Sequence, residues 1–171
     1  QVTVTMPNPD KIIATGIVSP PLCFGDYGVV TISATGGTGD LFVNGIKMVT
    51  GKLSFNITAG KPYNYEVTDS NGCIKIINGT MPGAPAQLIV SFSGVKDVSC
   101  FGGNDGGATV VVTGGTAGYT YLWNDPLKQT TQTATGLTKG TYSVAVTDKN
   151  NCQKTELVMI SEQPALETVT V

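Results

Sequence analysis

The chain has 171 residues, ten Lys plus Arg against twelve Asp plus Glu, a net charge of −2 and no histidine. The few basic residues are spread without clustering, which excludes the electrostatic footprint of a nucleic-acid or anionic-membrane binder. No apolar run approaches the length of a membrane-spanning helix, and the commonest general base and metal ligand are both missing.

Glycine is abundant, charged residues make up only 13 %, and Thr and Val recur in short alternating runs, the composition of strands and turns. In chain order, residues 1–7 (QVTVTMP) read as the last strand of a preceding copy of a repeat. A first copy is expected over 8–84 and a second over 85–164, and 165–171 read as the head of a following one. Leu22–Thr38 (LCFGDYGVVTISATGGT) is echoed by Ser99–Thr116 (SCFGGNDGGATVVVTGGT), and Val67–Cys73 (VTDSNGC) by Val146–Cys152 (VTDKNNC). A fixed spacing of that size means tandem copies of one small domain, each with its own core. The chain therefore reads as a piece of a longer array, with short proline-bearing junctions (MPNPD, MPGAPAQ, SEQPA) acting as semi-rigid spacers.

Within each copy the alternation is regular. Val30, Ile32 and Ala34 share one face against Thr31, Ser33 and Thr35. In the second copy Ala108, Val110 and Val112 stand against Thr109, Val111 and Thr113. Period 2 with one apolar face predicts half-buried antiparallel strands, and the Gly-Gly-Thr triplets after them turn the chain. Tyr119, Tyr121 and Trp123 share the face held by Leu41 and Val43 in the first copy. Tyr63, Tyr65 and Val67 match Tyr142, Val144 and Val146. Seven or so short strands per copy, with no helical period, predict two tandem Ig-like Greek-key β-sandwiches.

Four cysteines fall as Cys23 and Cys73 in one copy and Cys100 and Cys152 in the other. Autonomous copies should carry the same bond, so Cys23–Cys73 and Cys100–Cys152 are expected, each stabilising a small domain by about 4 kcal/mol in the chain-entropy model. Buried free thiols are the plainer alternative. Zinc is disfavoured by the absence of histidine and of any Cys-x-x-Cys. Disulfides imply an oxidising, extracytoplasmic compartment.

The string CFGGNDGGATVVVTGGTAGYTYLWN, followed by TGLTKGTYSVAVTDKNNC and a Gln-Pro exit, resembles the SprB repeat of giant cell-surface gliding adhesins. The likeness runs from Ser99 to Pro164. The first copy diverges: it keeps Cys-Phe-Gly, Gly-Gly-Thr, the TDSNGC turn and both cysteines but lacks the Trp and the GLTKGTY wording. The resemblance implies type IX secretion to the bacterial cell surface, gliding motility, and multivalent attachment to external surfaces or polysaccharides beside neighbouring repeats of the same chain.

No motif for catalysis or for a phosphate cradle is present, so an enzyme is not expected. No cofactor is expected either. Calcium is the one candidate, through Asp26, Asp69 and Asn71 in the first copy and Asp105, Asp148 and Asn150 in the second, provided the disulfides draw these loops together. The plainer reading makes the Asp and Asn residues Asx turns. Tyr63, Tyr65, Tyr121, Trp123 and Tyr142 are read as core aromatics; a sugar-stacking platform on Tyr119, Tyr121 and Trp123 is the alternative. Phe24 and Phe101 are expected to pack over the disulfides, and Tyr27 is the remaining loop aromatic. Asn56 and Asn78 head N-glycosylation sequons, read as accidental in a bacterial chain. The sequence thus favours non-catalytic adhesin modules, over a carbohydrate-binding pair or spacers of a secreted enzyme.

Overall fold

A computed structural model describes residues 10–165; the strand expected over 1–7 and residues 166–171 lie outside the described residues. The chain divides into two compact units, Gln1–Ala84 and Pro85–Val171, and every described regular element is a β-strand.

Among the described residues the first unit holds seven strands: β1 (Ile13–Ser19), β2 (Tyr27–Thr35), β3 (Leu41–Val43), β4 (Ile46–Lys47), β5 (Lys52–Thr58), β6 (Pro62–Asp69) and β7 (Ile74–Thr80). They form two antiparallel sheets, ordered β1-β2-β5 and β4-β3-β6-β7. The alternation in β2 is decisive: Val30, Ile32 and Ala34 are buried while Thr31 and Ser33 lie at the margin. They meet Val43, Tyr65, Val67 and Met81 from the facing side, closing one core. Phe55 stacks on Tyr65 with ring centroids 4.3 Å apart.

Among the described residues the second unit has six strands, one fewer: β8 (Ile89–Lys96), β9 (Gly106–Thr113), β10 (Thr120–Trp123), β11 (Thr133–Leu137), β12 (Gly140–Thr147) and β13 (Gln153–Ile160). Their sheets run β11-β9-β8 and β10-β12-β13. Trp123 takes the place of Val43, is fully buried, and lies 6.0 Å from the ring of Phe92. Its indole N–H donates to the Thr131 carbonyl at 2.9 Å, so burial leaves no polar atom unmet. Tyr142 donates to the Thr138 carbonyl at 3.1 Å across the β11–β12 corner, the tyrosine corner of Ig-type sandwiches.

The missing strand has a local cause. After Val43 the first unit runs Asn44-Gly45, both left-handed at φ 48° and 81°, the pair that closes a two-residue hairpin into β4. After Trp123 the second unit runs Asn124-Asp125-Pro126, and proline can supply neither the positive φ nor the N–H. Asn44 and Asn124 keep one shared task. Each side-chain oxygen accepts from the backbone of the neighbouring strand, at Glu66 and Ser143, both at 2.8 Å.

Candidate functional site

Each sandwich has two poles built from the repeated motifs. At the inlet pole the chain enters through residues 10–12 or 86–88 and meets the Gly-Gly-Thr turn. Gly37 N–H donates to the Asp10 carbonyl at 3.1 Å, and Gly115 N–H to the Ala86 carbonyl at 2.8 Å. All four glycines of the two triplets have positive φ. A Cβ on Gly36 or Gly114 would run into the incoming backbone at Lys11 or Gln87, and on Gly37 or Gly115 into the Asp69 or Asp148 side chain. Only glycine fits the triplet.

Those two aspartates lock the pole. Asp69 accepts from the backbone N–H of Thr38 (2.9 Å), Asn71 (3.0 Å) and Cys73 (2.9 Å). Asp148 accepts from Thr116 (2.8 Å), Asn150 (2.8 Å) and Cys152 (2.9 Å). One carboxylate therefore ties the Gly-Gly-Thr turn to the hairpin that carries the second cysteine. The Thr38 amide, helped by those of Cys73 and Asn71, holds the Asp69 carboxyl below its ordinary range. Around Asp148 burial pushes upward, and the amides of Thr116, Cys152 and Asn150 outweigh it.

At the outlet pole the Cys-Phe-Gly turn joins β1 to β2 and β8 to β9. The Cys23 carbonyl accepts from Asp26 N–H at 3.2 Å and the Cys100 carbonyl from Gly103 N–H at 3.0 Å, with Gly25 and Gly102 left-handed at the third position. The outgoing strand closes this pole. Met81 seats over Gly28, and Ile160 over Gly106, leaving no room for a Cβ at either glycine. In the second unit Asp105 accepts from Ser99 Oγ (2.6 Å), Ser99 N–H and Lys96 Nζ (both 2.9 Å), which hold its carboxyl far below the usual range. Glu162 is likewise lowered by Gly102 N–H and Lys139.

This arrangement corrects the expected disulfides. Cys23 lies before the first residue of β2, and Cys73 lies in the hairpin docked at its far end; Cys100 and Cys152 flank β9 in the same way. A strand of that length spans roughly 25 Å, whereas a disulfide needs Cα atoms within about 7 Å. Neither intradomain pair forms. Cys73 and Cys100 are free, exposed thiols, so neither of the two expected disulfides is present.

The calcium candidates separate for the same reason. Asp26 and Asp105 sit at outlet poles, Asp69, Asn71, Asp148 and Asn150 at inlet poles. Amide donors ring the Asp69 and Asp148 oxygens, an environment that suits an anion's partners and not a cation. Asn150 turns its Nδ2 to Thr116 Oγ1 at 3.0 Å. Among the described residues no group of three His, Cys, Asp or Glu converges.

Of the aromatics, Tyr65 is buried, and Tyr63, Tyr121 and Tyr142 pack against the cores at partial exposure. Tyr119 donates to the Gly114 carbonyl at 2.6 Å, bracing the Gly-Gly-Thr turn instead of offering a free platform. Phe24, Tyr27 and Phe101, by contrast, are about 60 % exposed. The second position of the Cys-Phe-Gly turn points outward, and no intradomain disulfide lies beneath it.

Sequence reasoning missed Asp125. It is fully buried and accepts from Leu127 N–H (3.1 Å), Gln129 N–H (2.9 Å) and Gln129 Nε2 (3.0 Å). Burial raises its carboxyl, but the Gln129 and Leu127 donors prevail and the net shift is downward. The Asp-Pro pair was the available signal.

Each unit is an Ig-like β-sandwich whose Gly-Gly-Thr turn is locked by a buried aspartate. Residues 93–127 match the family model described as SprB repeat. No curated protein matches the chain in sequence. Among solved structures, the C-terminal 282-residue fragment of intimin, in complex with the translocated intimin receptor's intimin-binding domain, aligns at TM-score 0.51 and 14 % identity. That alignment covers 90 % of this chain and 64 % of the fragment, so the chain spans under two thirds of it. The N-terminal eight Ig domains of Down syndrome cell adhesion molecule align at TM-score 0.46 and 12 % identity, covering 91 % of this chain and 25 % of that one. At such identities the likeness concerns the fold.

Proposed function

We propose that the chain is a pair of non-catalytic modules from a bacterial cell-surface adhesin filament, exported by type IX secretion and serving surface attachment and gliding. The observation that carries this reading is the SprB repeat match over residues 93–127, set in a sandwich whose twin precedes it. A module of this kind supplies reach and stiffness, and many copies supply avidity to surfaces or polysaccharides even where each binds weakly. Its polar clusters fit the part: the Asp69, Asp125 and Asp148 carboxylates are spent on backbone donors that hold turns.

The exposure of Phe24, Tyr27 and Phe101 favours a second reading, in which an outlet pole takes a glycan on its aromatic rings. One screen of the folded chain against immobilised glycans and polysaccharides tests both. Saturable binding by the chain that is lost in F24A or F101A establishes a dedicated sugar site. Binding only by multivalent display, unchanged in those variants, fits the filament reading. No retention in either format removes attachment from these copies.

A further inference from the structure

We propose that β5 of the first unit is an open sheet edge that pairs antiparallel with β5 of a second molecule of this chain, across a two-fold axis at Phe55. Only the first unit is involved, and the pairing holds whether or not the chain serves adhesion.

The direction in which the β5 backbone faces follows from its register. β5 pairs with β2 alone, from Tyr27↔Thr58 to Ser33↔Lys52 without a shift. The ladder extends to Ala34, whose N–H donates to the Gly51 carbonyl at 3.1 Å. In an antiparallel pair, bonded positions alternate with unbonded ones. Gly51, Leu53, Phe55 and Ile57 therefore turn their N–H and C=O groups to β2, while the exposed residues Lys52, Ser54, Asn56 and Thr58 turn theirs away. Of these outward groups, only the Thr58 carbonyl has a partner among the described residues, the Lys61 N–H at 3.1 Å. An unpaired edge of this kind is a template for another strand.

The corresponding edge of the second unit is closed from within. β11 stands where β5 does, and its outward positions are Thr133 and Thr135, because Val110 N–H donates to the Gln132 carbonyl at 3.0 Å. The Gln129 side-chain amide takes both backbone groups of Thr135, accepting its N–H at 3.1 Å and donating to its carbonyl at 3.0 Å. Thr131 Oγ1 donates to the Thr133 carbonyl at 2.6 Å. Left-handed Gly136 then bulges the strand. Burial differs in step. Ala134 and Leu137 of β11 are buried, whereas Leu53, Phe55 and Ile57 of β5 are only half-buried against their core.

A second β5 fits the open edge by its own sequence. Lys52–Thr58 reads KLSFNIT, with Phe55 at the centre. A two-fold axis there sets Phe55 opposite Phe55 and Leu53 opposite Ile57, which extends the apolar row on the core side. Ser54 and Asn56, both outward-facing, meet as a bonded pair exchanging N–H and C=O groups, and symmetry repeats the pair. Lys52 stands opposite Thr58, so no like charges face each other. The strand has no proline and no bulge, and its single charge lies at one end, so the usual obstacles to edge pairing are missing.

The test is sedimentation equilibrium of the full chain over rising concentration, with the exposed Cys73 and Cys100 thiols alkylated, together with amide exchange followed residue by residue. A monomer–dimer equilibrium is expected, in which exchange at Ser54 and Asn56 slows with concentration while Phe55, bonded to β2 throughout, does not change. Asn56→Pro removes an outward donor that β2 does not use, the kind of position where an edge strand accepts proline. It should weaken dimerisation roughly tenfold or more, since symmetry doubles the loss. If that variant unfolds the first unit, exchange at Ser54 and Asn56 in the unaltered chain decides alone. A chain that stays monomeric at every concentration, or a dimer that folded Asn56→Pro leaves intact, would overturn the proposal. So would protection of those amides only on adding an unrelated strand-forming peptide, which would make the edge a site for another partner.

Discussion

Trp123 is the chain's single tryptophan and reports on the second core alone. Its full burial predicts a blue-shifted emission that acrylamide quenches poorly; a red-shifted, freely quenched signal would contradict the packing. Trp123→Ala empties the centre of that core and should cost about 3–5 kcal/mol in urea titration. The glycines make a sharper comparison. Gly102 and Gly115 both have positive φ, but a Cβ meets nothing at Gly102 and meets Asp148 and Leu88 at 2.9 and 3.0 Å at Gly115. Gly102→Ala should therefore cost about 1 kcal/mol and Gly115→Ala about 3. Equal losses would mean that the aspartate lock does not constrain the turn.

The carboxylates set the acid limit, and its sign comes from their direction of shift. Asp69 and Asp148 are both held below their ordinary values in the fold. The unfolded chain takes up protons first, near pH 4, so their contribution is complete above that and is lost as pH falls toward the folded values. Melting temperature should be level from about pH 7 to 5 and drop below about pH 4. Asp69→Asn with Asp148→Asn should lower the plateau and flatten the drop. An unchanged acid limb in calorimetry would show that other groups govern it.

At the scale of elements, the two copies diverge just past their shared strand, β3 in one and β10 in the other. The Asn44-Gly45 pair makes β4, and the Asn124-Asp125-Pro126 run makes a loop folded around a carboxylate. That loop is not slack. Gln129 reaches both Asp125 and β11, accepting Thr135 N–H at 3.1 Å and donating to the Thr135 carbonyl at 3.0 Å. The Trp123 backbone N–H donates to the Gln129 carbonyl at 2.9 Å. Asp125→Ala leaves buried donors unmet, so a loss of about 2 kcal/mol is expected, with faster amide exchange at Gln129. Exchange rates there that match wild type would place the loop's order elsewhere.

For the whole molecule, separate cores predict separate unfolding. Gln1–Ala84 closes on Val30, Ile32, Val67 and Met81, and Pro85–Val171 on Val110, Trp123, Val144 and Ile160. Denaturation should show two transitions, and Trp123→Ala should move only one of them. A single transition that shifts as a unit would mean the copies fold as one. On the proposed filament reading, the copies act through number. The decisive quantity is then whether binding to a surface rises with the number of copies displayed.

Much of this was legible in the sequence because its signals are local. Alternation in β2 and β9 set which side chains face inward, the Gly-Gly-Thr and Cys-Phe-Gly triplets marked turns that demand positive φ, and the Val43–Trp123 exchange pointed to a core position. The spacing of the repeat was enough to predict two small sandwiches. Which turns share a pole was not determined there. Repeat logic assigns equal partners to equal cysteines, but partnership depends on distance in space. The antiparallel path of the strands sends the Cys-Phe-Gly turn and the Asp-x-Asn-x-Cys hairpin to opposite ends. The same geometry parted the calcium candidates and left Phe24 and Phe101 in solvent. Local residues choose strands and turns through backbone sterics and burial. Only the closed sandwich, which sets long-range distances, decides what can be bonded.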